Sequence, residues 1–195
     1  MNLPNQLTIA RFFLAMIFVA VMSIDWRFPD TAGLFLFILA GITDYADGAI
    51  ARKRGLETDF GRLMDPLVDK IMMAAAFICL VEDRTLPAWV TVMIISREFL
   101  ITGLRLLAAS KGVVLPAERL GKHKTGWQIA TVIFFLLLHS LKELAKVGIE
   151  NPEEWWGKVY HYAGRGMIAM ALGLTLYSGL GYLWKNRGLI LAGKA

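Results

Sequence analysis

The sequence has one cysteine, few charged residues and no low-complexity tract, heptad run or convincing internal repeat. Because Cys79 is the single cysteine among 195 residues, no disulfide can form within the chain, and the redox compartment stays open. Charged residues make up only 19% of the chain, whereas 56% of the residues are hydrophobic. An ordinary soluble domain is roughly 45–50% apolar, so this composition argues against one. The first residues also lack the pattern of a clean cleavable signal peptide.

The apolar residues fall into six blocks, each close to the ~20 residues that a helix needs to cross the hydrocarbon of a bilayer. The blocks cover about 8–24, 31–51, 63–81, 87–109, 127–141 and 160–184. We therefore predict an all-α integral membrane protein with six transmembrane helices, forming a single transmembrane catalytic domain over residues 1–195.

The basic residues of the connecting segments are distributed unequally between the two sides of the membrane. Eleven Lys and Arg residues lie on the side of the termini and of the second and fourth connections, against five on the other side. The positive-inside rule places the richer side, and both termini, in the cytoplasm of a multi-pass inner-membrane protein. The net charge of +5 is explained by these loops and by anionic lipids or phosphorylated substrates, so no nucleic-acid partner is expected.

Four aspartates occupy the second and third predicted helices near their cytoplasmic ends. Asp44 and Asp47 are three residues apart, and Asp65 and Asp69 are four apart. Both spacings place the side chains on one face of a helix. A short basic segment joins the two helices, so we expect the two pairs to converge.

A divalent cation explains this concentration of acids better than a solvated helix end or internal salt bridges. A charged side chain near the bilayer centre costs roughly 2.5–3.5 kcal/mol, so four carboxylates would be expensive without a counter-ion. Oxygen-only ligands suit hard ions, and we predict Mg²⁺ or Mn²⁺, with a pair of ions. Such a pair neutralises a diphosphate and orients an attacking hydroxyl group. The spacing thus predicts metal-dependent chemistry on a phosphorylated substrate at the cytoplasmic face.

The residues between the aspartates complete a longer pattern. The chain reads D-x2-D-G-x2-A-R-x8-G-x3-D-x3-D, in which the other fixed positions are Gly48, Ala51, Arg52 and Gly61. This pattern is the signature of the CDP-alcohol phosphatidyltransferase family, and the chain resembles that family at every fixed position. The segments at 2–11, 96–99 and 121–125 resemble the bacterial branch of the family that uses sn-glycerol 3-phosphate. Beyond about residue 141 the resemblance is one of hydropathy alone.

The resemblance implies a reaction and assigns roles to the signature residues. A member of this branch transfers the phosphatidyl group of CDP-diacylglycerol to sn-glycerol 3-phosphate, giving phosphatidylglycerol phosphate and CMP. The four aspartates would hold metal, and Asp69 would also take the proton from the glycerol hydroxyl group. The residues expected against the CDP moiety are Asp47, Gly48, Arg52 and Gly61. The family also implies a homodimer of six-helix protomers.

Cations are expected to bind the acceptor phosphate. Arg97 and Arg105 are eight residues apart on the predicted fourth helix and share a face, while Lys124 precedes the fifth helix. Arg165, in the sixth helix, is a further candidate near the predicted outer end. As alternatives, Arg97 could pair with Glu98, and either arginine of the fourth helix could extend to the interface.

Asn5, Thr8 and Arg11 form an i, i+3, i+6 set near the start of the first helix. They are candidates to line the active-site cavity. Equally, Asn5 could be a helix N-cap and Arg11 an interfacial anchor.

Two alternative functions stay open on the sequence. The signature residues are those expected to bind the CDP-lipid and not the acceptor, so a CDP-dependent cardiolipin synthase or another family member would also fit the signature. A divalent-cation transporter is the alternative of a different class, because membrane carboxylates also mark ion pathways. Its acids would be expected near the bilayer midplane, with matching acids on the other side.

Overall fold

The computed structural model describes most of the chain as long helices. The backbone is described for residues 3–54, 59–110, 112–113, 115, 119–146 and 157–188, and the side chains for 9–43, 67–68, 70–110, 112–113, 115, 123–146 and 157–188. Within these ranges there is no strand. The helices are α1 (Leu3–Ser23), α2 (Pro29–Arg54), α3 (Asp59–Glu82), α4 (Ala88–Ser110), α5 (Arg119–Ala145) and α6 (Arg165–Lys185). A π-helical turn, Tyr160–Gly164, leads directly into α6.

The helix boundaries follow local sequence signals. Pro29 begins α2, where a missing backbone N–H costs nothing. Helix α4 ends at Ser110, and the following Gly112 has a φ of +72°, which suits glycine; the N–H of Val113 bonds the carbonyl of Ala108 at 2.9 Å. The turn after α3 uses Arg84 at φ +55°, an uncommon conformation for a residue with a Cβ atom.

The predicted fifth segment was too short at its beginning. We expected it to start near 127, with Lys124 before it, but α5 begins at Arg119 and includes Lys124. Lys124 does not interrupt the helix, because this buried side chain has a carboxylate partner on α4. Each of the five other predicted segments coincides with a helix, and the bounds differ by a few residues.

The helices bury an aromatic and aliphatic core. Helix α3 packs against α1 and α4, α5 packs against α2 and α6, and further contacts join α1 to α2, α4 to α6 and α3 to α5. The largest fully buried side chains are Phe18, Phe77, Phe135, Leu80 and Leu136. Outside this core, large apolar side chains are exposed on every helix, including Phe13, Phe35, Ile78, Val92, Leu137 and Leu180. So broad an apolar exterior is unusual for a soluble monomer and is typical of a surface that meets lipid.

Two helical stretches in the described residues are long and apolar enough to cross a membrane. They are His123–Ala145 and Gly157–Lys185. Shorter apolar stretches occupy Ile9–Ser23 and Pro29–Thr43. Helix α4 is continuous, but Arg97, Glu98 and Arg105 interrupt its apolar sequence and lower its hydropathy. The helical architecture is thus confirmed, and the six membrane crossings stay a prediction.

Candidate active site

The four signature aspartates occupy helical backbone, as predicted. Asp44 and Asp47 lie in α2, and Asp65 and Asp69 lie in α3. The side chains of these residues, and those of Gly48, Arg52, Gly61, Asn5 and Thr8, lie outside the described residues. The convergence of the carboxylates on metal therefore stays a prediction. Their donor set fits the expected ion, because four carboxylates offer only oxygen ligands.

A cluster of four charged side chains, of which Lys124 is buried and the others are partly buried, lies beside this segment of α3. We call it the Glu98 cluster, and its members are Lys70, Arg97, Glu98 and Lys124. Glu98 Oε1 contacts Lys124 Nζ, and it lies 3.3 Å from Arg97 Nη1. Glu98 Oε2 lies 3.3 Å from Lys70 Nζ. The cations come from three different helices, so one carboxylate joins α3, α4 and α5.

The cluster carries an excess of positive charge. Three cations and one carboxylate give +3 − 1 = +2 among these described side chains. The side chain of Lys124 is only 4% exposed and that of Arg97 12%, so water screens little of this charge. Buried charge of one sign favours the binding of an opposite charge. The cluster is thus a candidate anion site, and it contains two of the four predicted phosphate ligands.

Helix α6 fixes the position of Arg97. Arg97 Nη2 donates a hydrogen bond of 3.1 Å to Ser178 Oγ. A Cβ atom added at Gly179 would lie 2.8 Å from Arg97 Cγ, so only glycine leaves room for the arginine stem. Arg97 Nε is buried against α6 and has no hydrogen-bond partner among the described residues. The sequence did not point to Ser178 or Gly179, because their role depends on contact with a distant helix.

The other two predicted phosphate ligands lie apart from this cluster. Arg105 is two helical turns, about 12 Å, from Arg97 along α4. Its Nε donates to the hydroxyl group of Tyr182 at 3.1 Å, and its guanidinium carbon lies 5.2 Å from the ring centroid. Arg165 begins α6, thirteen residues or about 20 Å before Ser178. Arg165 Nη1 instead lies 3.0 Å from Nε2 of His161.

Two cavities adjoin the candidate site. One, of about 130 Å³, lies between α3, α4 and α5, and Lys70, Glu98, Thr125 and Gln128 form the polar part of its lining. The other, of about 520 Å³, is mostly apolar and lies among α1, α2, α3 and α5. Its lining includes Arg11, Gly41, Ile42, Val68, Met72 and Ile133. Arg11, a candidate to line the active-site cavity, lines this one, next to the segments that carry Asp44 and Asp69, and its place in the active site stays a prediction.

A second carboxylate group lies at the opposite end of α2 and α3. Ligand atoms of Asp30, Asp83 and His139 lie within 4.8 Å of one another. His139 Nδ1 is 3.4 Å from Asp30 Oδ1, and its Nε2 is 3.2 Å from Thr85 Oγ1. Burial raises the pKa of Asp83, and the neighbouring charge of Asp30 raises it further. Asp30 is fourteen residues from Asp44, about 21 Å along α2, so this group is separate from the predicted metal site.

Comparison with known proteins decides the family. The family model described as CDP-alcohol phosphatidyltransferase matches residues 1–183. The chain belongs to this family. The family is membrane-associated and uses a divalent metal, which agrees with the apolar helices and with the carboxylate pattern. Because the family consists of transferases, membership favours the enzyme over the transporter alternative.

Curated members of the family with similar sequences come from several bacteria. A CDP-diacylglycerol–glycerol-3-phosphate 3-phosphatidyltransferase of Bacillus subtilis (strain 168) is 40% identical over 95% of this chain and 95% of its own length. Proteins of the same name from Rickettsia felis and Treponema pallidum are 38% and 34% identical. They cover 70% and 80% of this chain, and 75% and 70% of their own lengths.

Proposed function

We propose that this family member transfers the phosphatidyl group of CDP-diacylglycerol to sn-glycerol 3-phosphate, giving phosphatidylglycerol phosphate and CMP. The Glu98 cluster is the observation that carries the choice of acceptor. Its net charge of +2 matches a phosphate monoester, which carries about −1.5 to −2 near pH 7. The shared name of the bacterial relatives supports the same acceptor.

The position of the cluster along α3 fits the reaction. Lys70 directly follows Asp69, and consecutive Cα atoms lie about 3.8 Å apart. A phosphate bound by Lys70, Arg97 and Lys124 would hold the glycerol close to the proposed base. The hydroxyl oxygen then attacks the phosphatidyl phosphorus, the bond from that phosphorus to CMP breaks, and Asp69 takes the hydroxyl proton.

The donor lipid occupies the other side of the site in this proposal. Asp44, Asp47, Asp65 and Asp69 would hold Mg²⁺ or Mn²⁺, which neutralises the diphosphate of the donor. Gly48, Arg52 and Gly61 would lie against the CDP moiety. The apolar cavity of about 520 Å³ supports this arrangement, because it offers space for acyl chains beside the carboxylate segments.

The membrane arrangement follows from the charge distribution. We propose six crossings of the inner membrane, with both termini and the active site on the cytoplasmic side, where CMP and glycerol 3-phosphate are soluble. We also propose a homodimer, as in the family.

An acceptor panel tests the proposed function. Purified protein in mixed micelles receives CDP-diacylglycerol, Mg²⁺ and one acceptor at a time, and CMP release is measured. Glycerol 3-phosphate should support the fastest release, and chelation of the metal should abolish it. If serine, inositol phosphate or phosphatidylglycerol supports faster release, the acceptor assignment is wrong. Inositol phosphate is the sharpest comparison, because it is also a phosphate monoester.

A further inference from the structure

The Glu98 carboxylate occupies the point on which three cations converge. Its Oε1 contacts Lys124 and Arg97, and its Oε2 contacts Lys70. In the described part of the chain, no other carboxylate pairs with these cations. An external anion that uses all three cations must therefore compete with Glu98 for them.

Charge decides which anions compete well. Glu98 brings one negative charge, and a phosphodiester also brings one. A phosphate monoester brings nearly two at neutral pH and three acceptor oxygens. A monoester thus makes stronger contacts with the cluster than Glu98 does.

We propose that Glu98 is a resident counter-ion that holds Lys70, Arg97 and Lys124 together and is displaced from them by the acceptor phosphate. This inference rests on the proposed function, in which that phosphate binds here. The cavity of about 130 Å³ lined by Glu98 offers the space into which its side chain turns. Displacing Glu98 costs free energy, so an anion of low charge binds the cluster more weakly than a phosphate monoester does.

The effect of removing Glu98 on phosphate binding distinguishes competition with phosphate from a purely supporting role. If Glu98 only positions the cations, its removal weakens phosphate binding. If Glu98 competes with phosphate, its removal strengthens phosphate binding while destabilising the unliganded protein, because the buried Lys124 and the partly buried Lys70 and Arg97 lose their partner.

The test compares wild type with Glu98→Gln, using methyl phosphate and dimethyl phosphate as competitive inhibitors against glycerol 3-phosphate. The inhibition constant of methyl phosphate should fall about tenfold in the variant, the scale of one charge-assisted contact. Dimethyl phosphate, a monoanion, should not inhibit wild type measurably and should become a measurable inhibitor of the variant. The melting temperature without ligand should fall, and methyl phosphate should raise it more than in wild type.

Glu143→Gln is the matched control, because Glu143 is a buried glutamate at the far end of α5. It should lower the melting temperature and leave both inhibition constants unchanged. Glu98→Asp keeps the charge on a shorter stem and serves if Glu98→Gln does not fold. It should also lower the inhibition constant of methyl phosphate, though by less.

A rise or no change in that inhibition constant, in either Glu98 variant, overturns the inference. If wild type uses glycerol 3-phosphate and is inhibited by methyl phosphate, that result leaves the proposed function intact. If wild type accepts no glycerol 3-phosphate, the proposed function fails first and the inference fails with it.

Discussion

Lys124 lies 3% exposed in α5, where an ammonium group needs a negative partner. Glu98 supplies one, and the acceptor phosphate would supply another. Lys124→Met keeps much of the side-chain volume and removes the charge. We expect the KM for glycerol 3-phosphate to rise by roughly 10- to 100-fold, since a lost hydrogen bond to a charged group costs about 1.5–3 kcal/mol. The KM for CDP-diacylglycerol should change little.

Lys142→Met is the control for this variant, because Lys142 lies in the last turn of the same helix, over the ring of Tyr160. It should leave both KM values unchanged. An equal rise of both KM values in Lys124→Met would contradict the assignment of Lys124 to the acceptor.

Asp69 is the residue to which we assign the proton transfer. Asp69→Asn removes the base and should lower kcat by roughly 10²- to 10⁴-fold, the usual contribution of general base catalysis. CDP-diacylglycerol binding, measured by equilibrium dialysis, should persist. Asp83→Asn, the same change in the remote group near His139, should leave kcat unaltered. Full activity in Asp69→Asn would exclude its role as the base.

At the scale of elements, α6 contributes to the acceptor site through its small residues. Gly179→Ala should displace Arg97, because the new Cβ atom would lie 2.8 Å from Arg97 Cγ. We expect a severalfold rise in the KM for glycerol 3-phosphate. Gly173→Ala is the control, since its Cβ atom would meet nothing within 4 Å. Alanine is favoured over glycine in a helix by about 1 kcal/mol, so Gly173→Ala should not destabilise the protein. If the two variants have the same KM for glycerol 3-phosphate, α6 does not contribute to the acceptor site.

Helix α2 is capped by a residue of α5. The backbone N–H groups of Asp30 and Thr31 donate to the two carboxylate oxygens of Glu143 at 2.8 and 2.9 Å. The Thr31 hydroxyl donates to the same carboxylate at 2.6 Å. A negative charge here also interacts favourably with the helix dipole.

Glu143→Gln leaves one oxygen and no charge at this cap. It should lower the free energy of unfolding by about 1–3 kcal/mol, measured as a fall in melting temperature in detergent. The KM values should stay the same. A variant as stable as wild type would show that the cap contributes little.

The sequence predicts features that depend on neighbouring residues, but it does not predict contacts between residues far apart in the chain. The helices containing Asp44 and Asp69 follow from hydropathy and from i, i+3 and i, i+4 spacing. The beginning of α5 was missed, because polar residues around Lys124 resemble a loop until their partner on α4 is known. Glu143 and Thr31 are 112 residues apart, and no local pattern joins them. The sequence points to Glu98 only as a local partner of Arg97, since its contacts with Lys70 and Lys124 bring together three helices.

At the scale of the whole molecule, two regions of different chemical character lie next to each other. An apolar cavity of about 520 Å³ lies beside the carboxylate segments, and the partly buried Glu98 cluster, of net charge +2, lies on the side of α4 and α6. The first suits a lipid donor and the second suits a phosphorylated acceptor. This division agrees with the family, in which the donor is common and the acceptor differs between branches.

The central claim is that the acceptor is glycerol 3-phosphate. An equimolar mixture of glycerol 3-phosphate, inositol phosphate, serine and phosphatidylglycerol tests it in one reaction with CDP-diacylglycerol and Mg²⁺. Mass spectrometry of the lipid products should show phosphatidylglycerol phosphate as the dominant product, formed in equal amount to CMP. A dominant product carrying inositol phosphate, serine or a second phosphatidyl group would contradict the claim.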